Sequence, residues 1–245
     1  MPDRSATMDP ASVEGFQAEL APPMLVAGDR MDQPTFHARY RAMPPGTRAE
    51  LIDGVVHMPS PVGPDHASAH VPTILWLDHF AEQTTGLQVL DNATAILGPG
   101  NEPQPDAILR ILPEYGGRTQ DVDRILTGAP ELVAEIAHAS RYVDLGPKRR
   151  DYERAGVLEY VVRALEPDAV FWFVLREGRF EERTPGPDGL YRSEAFPGLW
   201  LDPDALLRGD RRRLREVVQQ GCAGADHAAF VARLDEARRQ IPPTQ

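Results

Sequence analysis

The stretch PELVAEIAHASRYVDLGPKRRDYERAGVLEYVV, residues 130–162, reads as strand, helix, strand. ELVAEIA is the most buried-looking strand of the chain, yet it carries a carboxylate, Glu135, in its middle. Side chains alternate along a strand, so Leu132, Ala134 and Ile136 take one side and Val133, Glu135 and Ala137 the other. A carboxylate buried without a cation is costly, and the Glu135 side is therefore expected to wall a site. Residues 140–156 follow as a helix, with Tyr142, Leu145, Arg149 and Tyr152 at helical spacing and Gly156 as its stop. LEYVVRAL then returns as a strand.

Toward the N-terminus, LQVLDNATAIL and QPDAILRIL are strand-like runs separated by the turn-rich GPGNEP, and residues 113–128 read as loop with at most a short helix. Before them, residues 66–86 place Val71, Ile74, Leu75, Leu77 and Phe80 on one broad apolar face, with Gly86 as the C-cap. AELIDGVVHM is a hairpin turning at Asp53-Gly54, and TFHARYRAM is a short helix capped by Thr35 and stopped by Pro44-Pro45-Gly46. Residues 1–31 lack any sustained period and read as a mobile leader with one ordered patch at Met24-Leu25-Val26.

Toward the C-terminus, AVFWFVL, GRFEERT and GLYRS continue the strands. PDALLRGDRRRLREVVQQG and DHAAFVARLDEARRQ are two amphipathic helices whose apolar faces need the core or a second subunit to cover them. The mixed order of strand and helix indicates a mixed α/β (α+β) fold. The expected division is a leader at 1–31, one domain at 32–202 and a helical extension at 203–245.

Composition narrows the function classes. A 245-residue chain with 42% hydrophobic content can bury one substantial core. A formal net charge of −11 argues against coating nucleic acid by charge alone, although it permits an enzyme that meets DNA or RNA locally. One cysteine, Cys222, forms no internal disulfide and suits a reducing cytosol. No run reaches the roughly 20 apolar residues that cross a bilayer, and no secretory leader is recognisable, so a cytoplasmic location is expected. GxGxxG, P-loop, HExxH, paired CxxC and G-x-S-x-G motifs are all missing.

Two further acids lie in or beside apolar strands: Glu50 before Leu51-Ile52, and Asp106 before Ala107-Ile108-Leu109. Hard divalent cations take oxygen ligands, commonly one or two carboxylates with retained water. Asp106 and Glu135 suit that role, with Glu50 as an additional ligand. On the 140–156 helix, a 100° step per residue places Lys148 about 60° from Leu145 and about 40° from Tyr152, on the flank of the buried stripe. Spacing leaves two fates open for Lys148: pairing with Asp144 four residues earlier, or pointing at the carboxylates.

ELIDGVVHMPSPVGPDH, QPDAIL, GAPELVAEIAHAS and DLGPKRRDYERAGVLEYVV together resemble, in order and spacing, the Uma-two (Uma2) family of restriction-endonuclease-like proteins in the PD-(D/E)xK nuclease superfamily. The resemblance implies a central mixed β-sheet flanked by helices. It also implies a Mg²⁺- or Mn²⁺-dependent endonuclease acting on DNA, with Glu50, Asp106, Glu135 and Lys148 as the catalytic set. The superfamily lysine position is Ala137 here, and Lys148 matches the lysine that this family supplies from the following helix. His66 and Tyr152 fall on family positions as secondary candidates, His66 for helix capping, a structural role or catalysis and Tyr152 for packing or support of the site residues; Glu159 and Tyr160 match in the same role as Tyr152. HAS replaces the frequent SPS, and Arg163 lies near where the family usually has Asp. The alternative from another class is a catalytically inactive nuclease fold that serves as a binding or assembly module, dimerising through its C-terminal helices.

Overall fold

The structure, a computed structural model, describes residues 22–59, 61–138 and 140–240. The first 21 residues, which make up most of the expected leader, lie outside the described residues. The elements in the N-terminal half are α1 (Gln33–Arg41), β1 (Glu50–Ile52), β2 (Val55–His57), α2 (Pro64–Ala81), β3 (Leu87–Asp91), β4 (Ala95–Ile96), β5 (Ala107–Ile111), β6 (Gln120–Val122), β7 (Ile125–Thr127) and β8 (Leu132–Ala137). Then come α3 (Arg141–Val143), a π-helical turn (Asp144–Lys148), α4 (Arg149–Ala155), β9 (Glu159–Leu165), β10 (Asp168–Arg176), β11 (Arg179–Arg183), β12 (Tyr191–Arg192), β13 (Trp200–Leu201), α5 (Pro203–Arg208), α6 (Arg211–Cys222) and α7 (Ala225–Gln240).

Six strands form the central sheet in the order β11-β10-β9-β8-β5-β3. Only β8 and β9 run parallel, and the other neighbours are antiparallel. A parallel pair needs a crossover, which residues 141–155 supply. The sheet is therefore mixed because of the strand-crossover-strand unit of residues 132–165.

Both faces of β8 are covered, which is why all six of its residues are buried. Leu132 and Ala134 pack with Trp76, Leu77 and Phe80 of α2 and with Leu206, Leu214, Val218, Phe230 and Leu234 of the C-terminal helices. Val133 and Ala137 pack on the opposite face with Tyr152, Tyr160 and Val162. The apolar faces of α5, α6 and α7 are thus covered by the chain's own core, without needing a second subunit. A third cluster, Leu25, Phe36, Ala49, Leu51 and Val56, roots α1 and the β1–β2 hairpin, and Leu25 belongs to the patch expected to order.

Several local expectations need correction. Helix α2 begins at Pro64 and ends at Ala81, five residues before Gly86, and its buried stripe centres on Pro72, Trp76, Leu77 and Phe80 while Val71 is exposed. Residues 113–128 hold a hairpin, β6–β7, besides a short 3-10 turn. Its turn uses Asp123 and Arg124 at φ 51° and 69° in place of glycine or asparagine, so it carries no strong sequence signal. The 140–156 helix is not uniform: α3 and α4 flank the π turn, which contains Pro147, and Tyr142 is 86% exposed. Proline removes an N–H from the helical ladder, and the helix locally widens there. The C-terminal tail forms three helices where two were expected, because Gly209 breaks the first at φ 65°.

Glu159 at the start of β9 lies on the face opposite Tyr160, fully buried. It accepts hydrogen bonds from Ser193 Oγ (2.7 Å), Glu194 N (2.6 Å) and Ala195 N (3.1 Å), anchoring the loop before β13. Burial outweighs these donors and pushes its carboxyl up to about 7. The folded value lies above the ordinary 4.5, so this group's contribution to stability is complete below 4.5 and is lost as pH rises through about 7. Chemical denaturation of Glu159→Gln should therefore show the variant gaining on the wild type by on the order of 2 kcal/mol as pH goes from about 5 to about 8.

Candidate active site

The acids are brought together by sheet register. Antiparallel pairing of β5 with β8 sets Ala107 opposite Ala134, so Asp106, one residue before β5, stands opposite Glu135 on the same face. Backbone groups lock the pair: Ile136 N donates to Asp106 Oδ2 at 2.7 Å, and Asp106 N lies 3.3 Å from Glu135 Oε2.

Glu50 arrives from outside the central sheet. Its hairpin turns on Asp53 and Gly54, both at positive φ, as the Asp-Gly signal requires. The segment before β5 braces it through Leu51 N to Glu102 O and Glu102 N to Leu51 O, at 3.1 and 2.9 Å. Glu102 in turn accepts from Gln33 Nε2 and holds His37 Nδ1 of α1, at 2.7 and 2.9 Å. At the other end, Asp151 of α4 accepts from Asp53 N at 2.7 Å. So fixed, Glu50 Oε1 accepts from Gln104 N at 2.7 Å and meets Lys148 Nζ at 2.9 Å.

Lys148 points at the carboxylates. Its ammonium lies 2.9 Å from Glu50, 3.0 Å from Glu135 and 3.8 Å from Asp144, with only 7% of its side chain exposed. The two fates left open by spacing are both realised, since Asp144 is a third and more distant neighbour. Tyr152 Oη donates to Glu135 Oε1 at 2.8 Å, so this tyrosine contacts the site directly besides packing on Tyr160. His66 caps nothing, because the N-cap of α2 is Gly63; its Nε2 lies 3.4 Å from Asp106 Oδ2.

The electrostatics follow from crowding. Burial raises the Lys148 ammonium's cost, but Glu135, Glu50 and Asp144 more than offset it and hold its pKa well above the ordinary value. Burial, reinforced by Asp106, Asp144 and Glu50, pushes the Glu135 carboxyl well up despite Lys148. Asp106 differs: burial acts upward, yet His66 and the Ile136 N–H bring it below the usual carboxylate range. The Asp106 carboxylate in return raises the His66 imidazole. Asp144 is pushed by burial up to about 6, and its Oδ2 is buried with no hydrogen-bond partner among the described residues. Asp144 is a site acid beyond the expected set, and its spacing of four residues from Lys148 is the sequence signal that points to it.

Three carboxyls thus share one ammonium while Asp106 faces His66, and the cluster lines a cleft of about 450 Å³. Among the described residues, no group of three or more His, Cys, Asp or Glu side chains is arranged to close on a metal ion. Glu50 is engaged by Lys148 and Gln104, whereas Asp106 Oδ1 accepts no hydrogen bond among the described residues and Glu135 Oε2 has only its long contact. Two converging carboxylates with unfilled oxygens and excess negative charge fit a hard divalent cation that keeps several waters. Cys222 lies outside this cleft, and burial pushes its thiol up to about 11, which suits a packing role.

The sequence pattern of the Uma2 family, described as "Putative restriction endonuclease", matches residues 34–204. The chain belongs to the Uma2 family. The Uma2 match spans α1 to the start of α5 and so contains every residue of the cluster. A crystal structure of a "putative nuclease belonging to DUF820" from Anabaena variabilis is similar with a TM-score of 0.56 at 16% identity, covering 69% of this chain and 96% of that one. At that identity the likeness shows a shared fold. No curated protein matches the chain. Among the described residues, no helix is long and apolar enough to cross a membrane.

Replacing Lys148 with Met leaves the acids without their ammonium. Chemical denaturation should show a loss of about 3 kcal/mol near pH 8. The loss should shrink toward pH 5, where the carboxyls take up protons.

Proposed function

We propose that this Uma2 protein is a divalent-metal-dependent nuclease that hydrolyses phosphodiester bonds in DNA. The observation that carries the reading is the convergence of Asp106 and Glu135 on one face of the sheet, with Lys148 at 3.0 Å from Glu135, at the bottom of an open cleft. Asp106 and Glu135 would hold Mg²⁺ or Mn²⁺, with Glu50 as a further oxygen donor. When bound, such an ion supplies Lewis acidity, polarising a phosphate and acidifying water.

The remaining residues act on geometry and charge. Lys148 orients a water and offsets negative charge that develops on the scissile phosphate. Tyr152, hydrogen-bonded to Glu135, fixes the rotamer of that carboxylate, and His66 does the same for Asp106 through the contact between their side chains. Asp144 tethers the ammonium from the helix side.

One observation favours a second reading, in which the fold is an inactive binding module: the Lys148 ammonium already neutralises part of the charge of Glu50 and Glu135 that would attract a cation. Calorimetric titration with Mn²⁺ separates the two. A nuclease should bind Mn²⁺ and lose that binding in Glu135→Ala, whereas an inactive module should give no heat with either protein.

The direct experiment incubates full-length protein with Mg²⁺ or Mn²⁺ and end-labelled DNA. Cleavage should appear with the wild type and fall by about 100-fold or more in Asp106→Asn. Equal cleavage by both proteins, or none by either, would overturn the proposal.

A further inference from the structure

A phosphate that approaches the cleft meets Glu50, Asp106, Glu135 and Asp144 on its lining, and their negative charge repels it unless a cation faces outward to receive it. Two of the described lining residues carry a permanent positive charge, Lys148 and Arg48. The ammonium of Lys148 is committed, being buried among Glu50, Glu135 and Asp144. Arg48 is exposed and makes no ion pair among the described residues. Its charge is the one the lining leaves for an outside anion.

The local backbone explains why Arg48 stands where it does. Ala49 and Leu51 turn into the third core cluster, and Arg48 and Glu50, alternating with them, both line the cleft. Two residues of extended chain separate their Cα atoms by about 7 Å. The Glu50 carboxylate is nonetheless taken by Lys148 and Gln104 N, so Arg48 keeps its guanidinium clear of it. The chain on either side is fixed: Tyr40 Oη donates to Thr47 O at 3.2 Å, Thr47 Oγ1 donates to Pro44 O at 2.8 Å, and Ala49 is buried. A guanidinium on such a stem presents a planar fork of N–H donors that matches two phosphate oxygens. Phosphate contacts of this kind position a nucleic-acid strand without reading its sequence. In a chain of net charge −11, one well-placed cation at the cleft matters more than it would on a basic surface.

We propose that Arg48 is a substrate-binding residue, holding a backbone phosphate of the DNA next to the scissile one and so setting how the strand enters the cleft. This rests on the reading of the acid cluster as a nuclease centre. The two cations then divide the work: the buried ammonium of Lys148 serves the reacting phosphate, and the exposed guanidinium of Arg48 serves its neighbour. A contact to a phosphate that does not react is equally strong before and during the reaction, so it contributes to KM and not to kcat.

Fluorescence anisotropy tests this with full-length protein and labelled DNA, single-stranded and duplex, with Ca²⁺ in place of Mg²⁺ so that binding is read without cleavage. On the form bound more tightly, Arg48→Ala should weaken binding about tenfold. It should also flatten the slope of log affinity against log salt by about 0.7 to 0.9, the share of one phosphate contact. Arg48→Lys should restore the salt slope but only part of the affinity, because a point charge replaces the fork. Arg238→Ala, at an exposed arginine of α7 outside the cleft lining, should bind as the wild type does. Thermal unfolding should be unchanged in all three variants. In the cleavage assay, Arg48→Ala should raise KM about tenfold and keep kcat within about twofold. Absence of DNA binding by the wild type, an unchanged affinity and salt slope in Arg48→Ala, or a fall in kcat at constant KM would each overturn the proposal. A protein that cuts DNA with indifference to Arg48→Ala keeps the nuclease reading and loses this one. A protein that binds DNA through Arg48 yet cuts none does the reverse.

Discussion

The buried ammonium of Lys148 is the constraint on which the site depends. Four carboxyls from four parts of the chain, Glu50, Asp106, Glu135 and Asp144, approach one another inside a protein where each would be costly alone. The Lys148 ammonium, with His66 beside Asp106, lets them do so, but only in part, as the upward shifts of Glu135 and Asp144 record. A site left short of positive charge favours a cation, which is the ground for proposing a bound metal.

Much of the surrounding structure serves to hold that cluster. The crossover from β8 to β9 places the π turn over the Glu135 face, and Pro147 within this turn accompanies the local widening that brings both Asp144 and Lys148 inward. The β1–β2 hairpin would be a marginal unit by itself. It becomes a rigid wall because Glu102 ties it to α1 and Asp151 ties its turn to α4. The opposite face of the sheet, packed under α2 and the C-terminal helices, carries no part of the cluster and provides the rigid base.

The legible parts were those in which local chemistry and tertiary demand coincide. Alternation along ELVAEIA assigned Glu135 a face, and that face is the one turned to Tyr152. Asp53-Gly54 turns the hairpin, and Gly156 ends α4 at φ 84°. Where a turn uses unusual residues, as at Asp123-Arg124, or where a helix departs from 3.6 residues per turn, as at residues 144–148, periodicity has nothing to register. Tyr142 shows the cost: it fits the helical stripe on paper and projects into solvent in the fold.

By itself, the sequence determined the residue types, a face for Glu135 inside a buried strand and a flank for the lysine one helix later, with a second acid after Gln104-Pro105 given no face. Whether Lys148 would satisfy its near neighbour Asp144 or the strand carboxylates was decided by tertiary structure alone. The deciding facts are the β5–β8 register, which sets Asp106 against Glu135, and the bracing that carries Glu50 to within 2.9 Å of the ammonium. Electrostatic energy in a buried site depends on distances between residues far apart in the chain. Those distances do not exist until the sheet has closed.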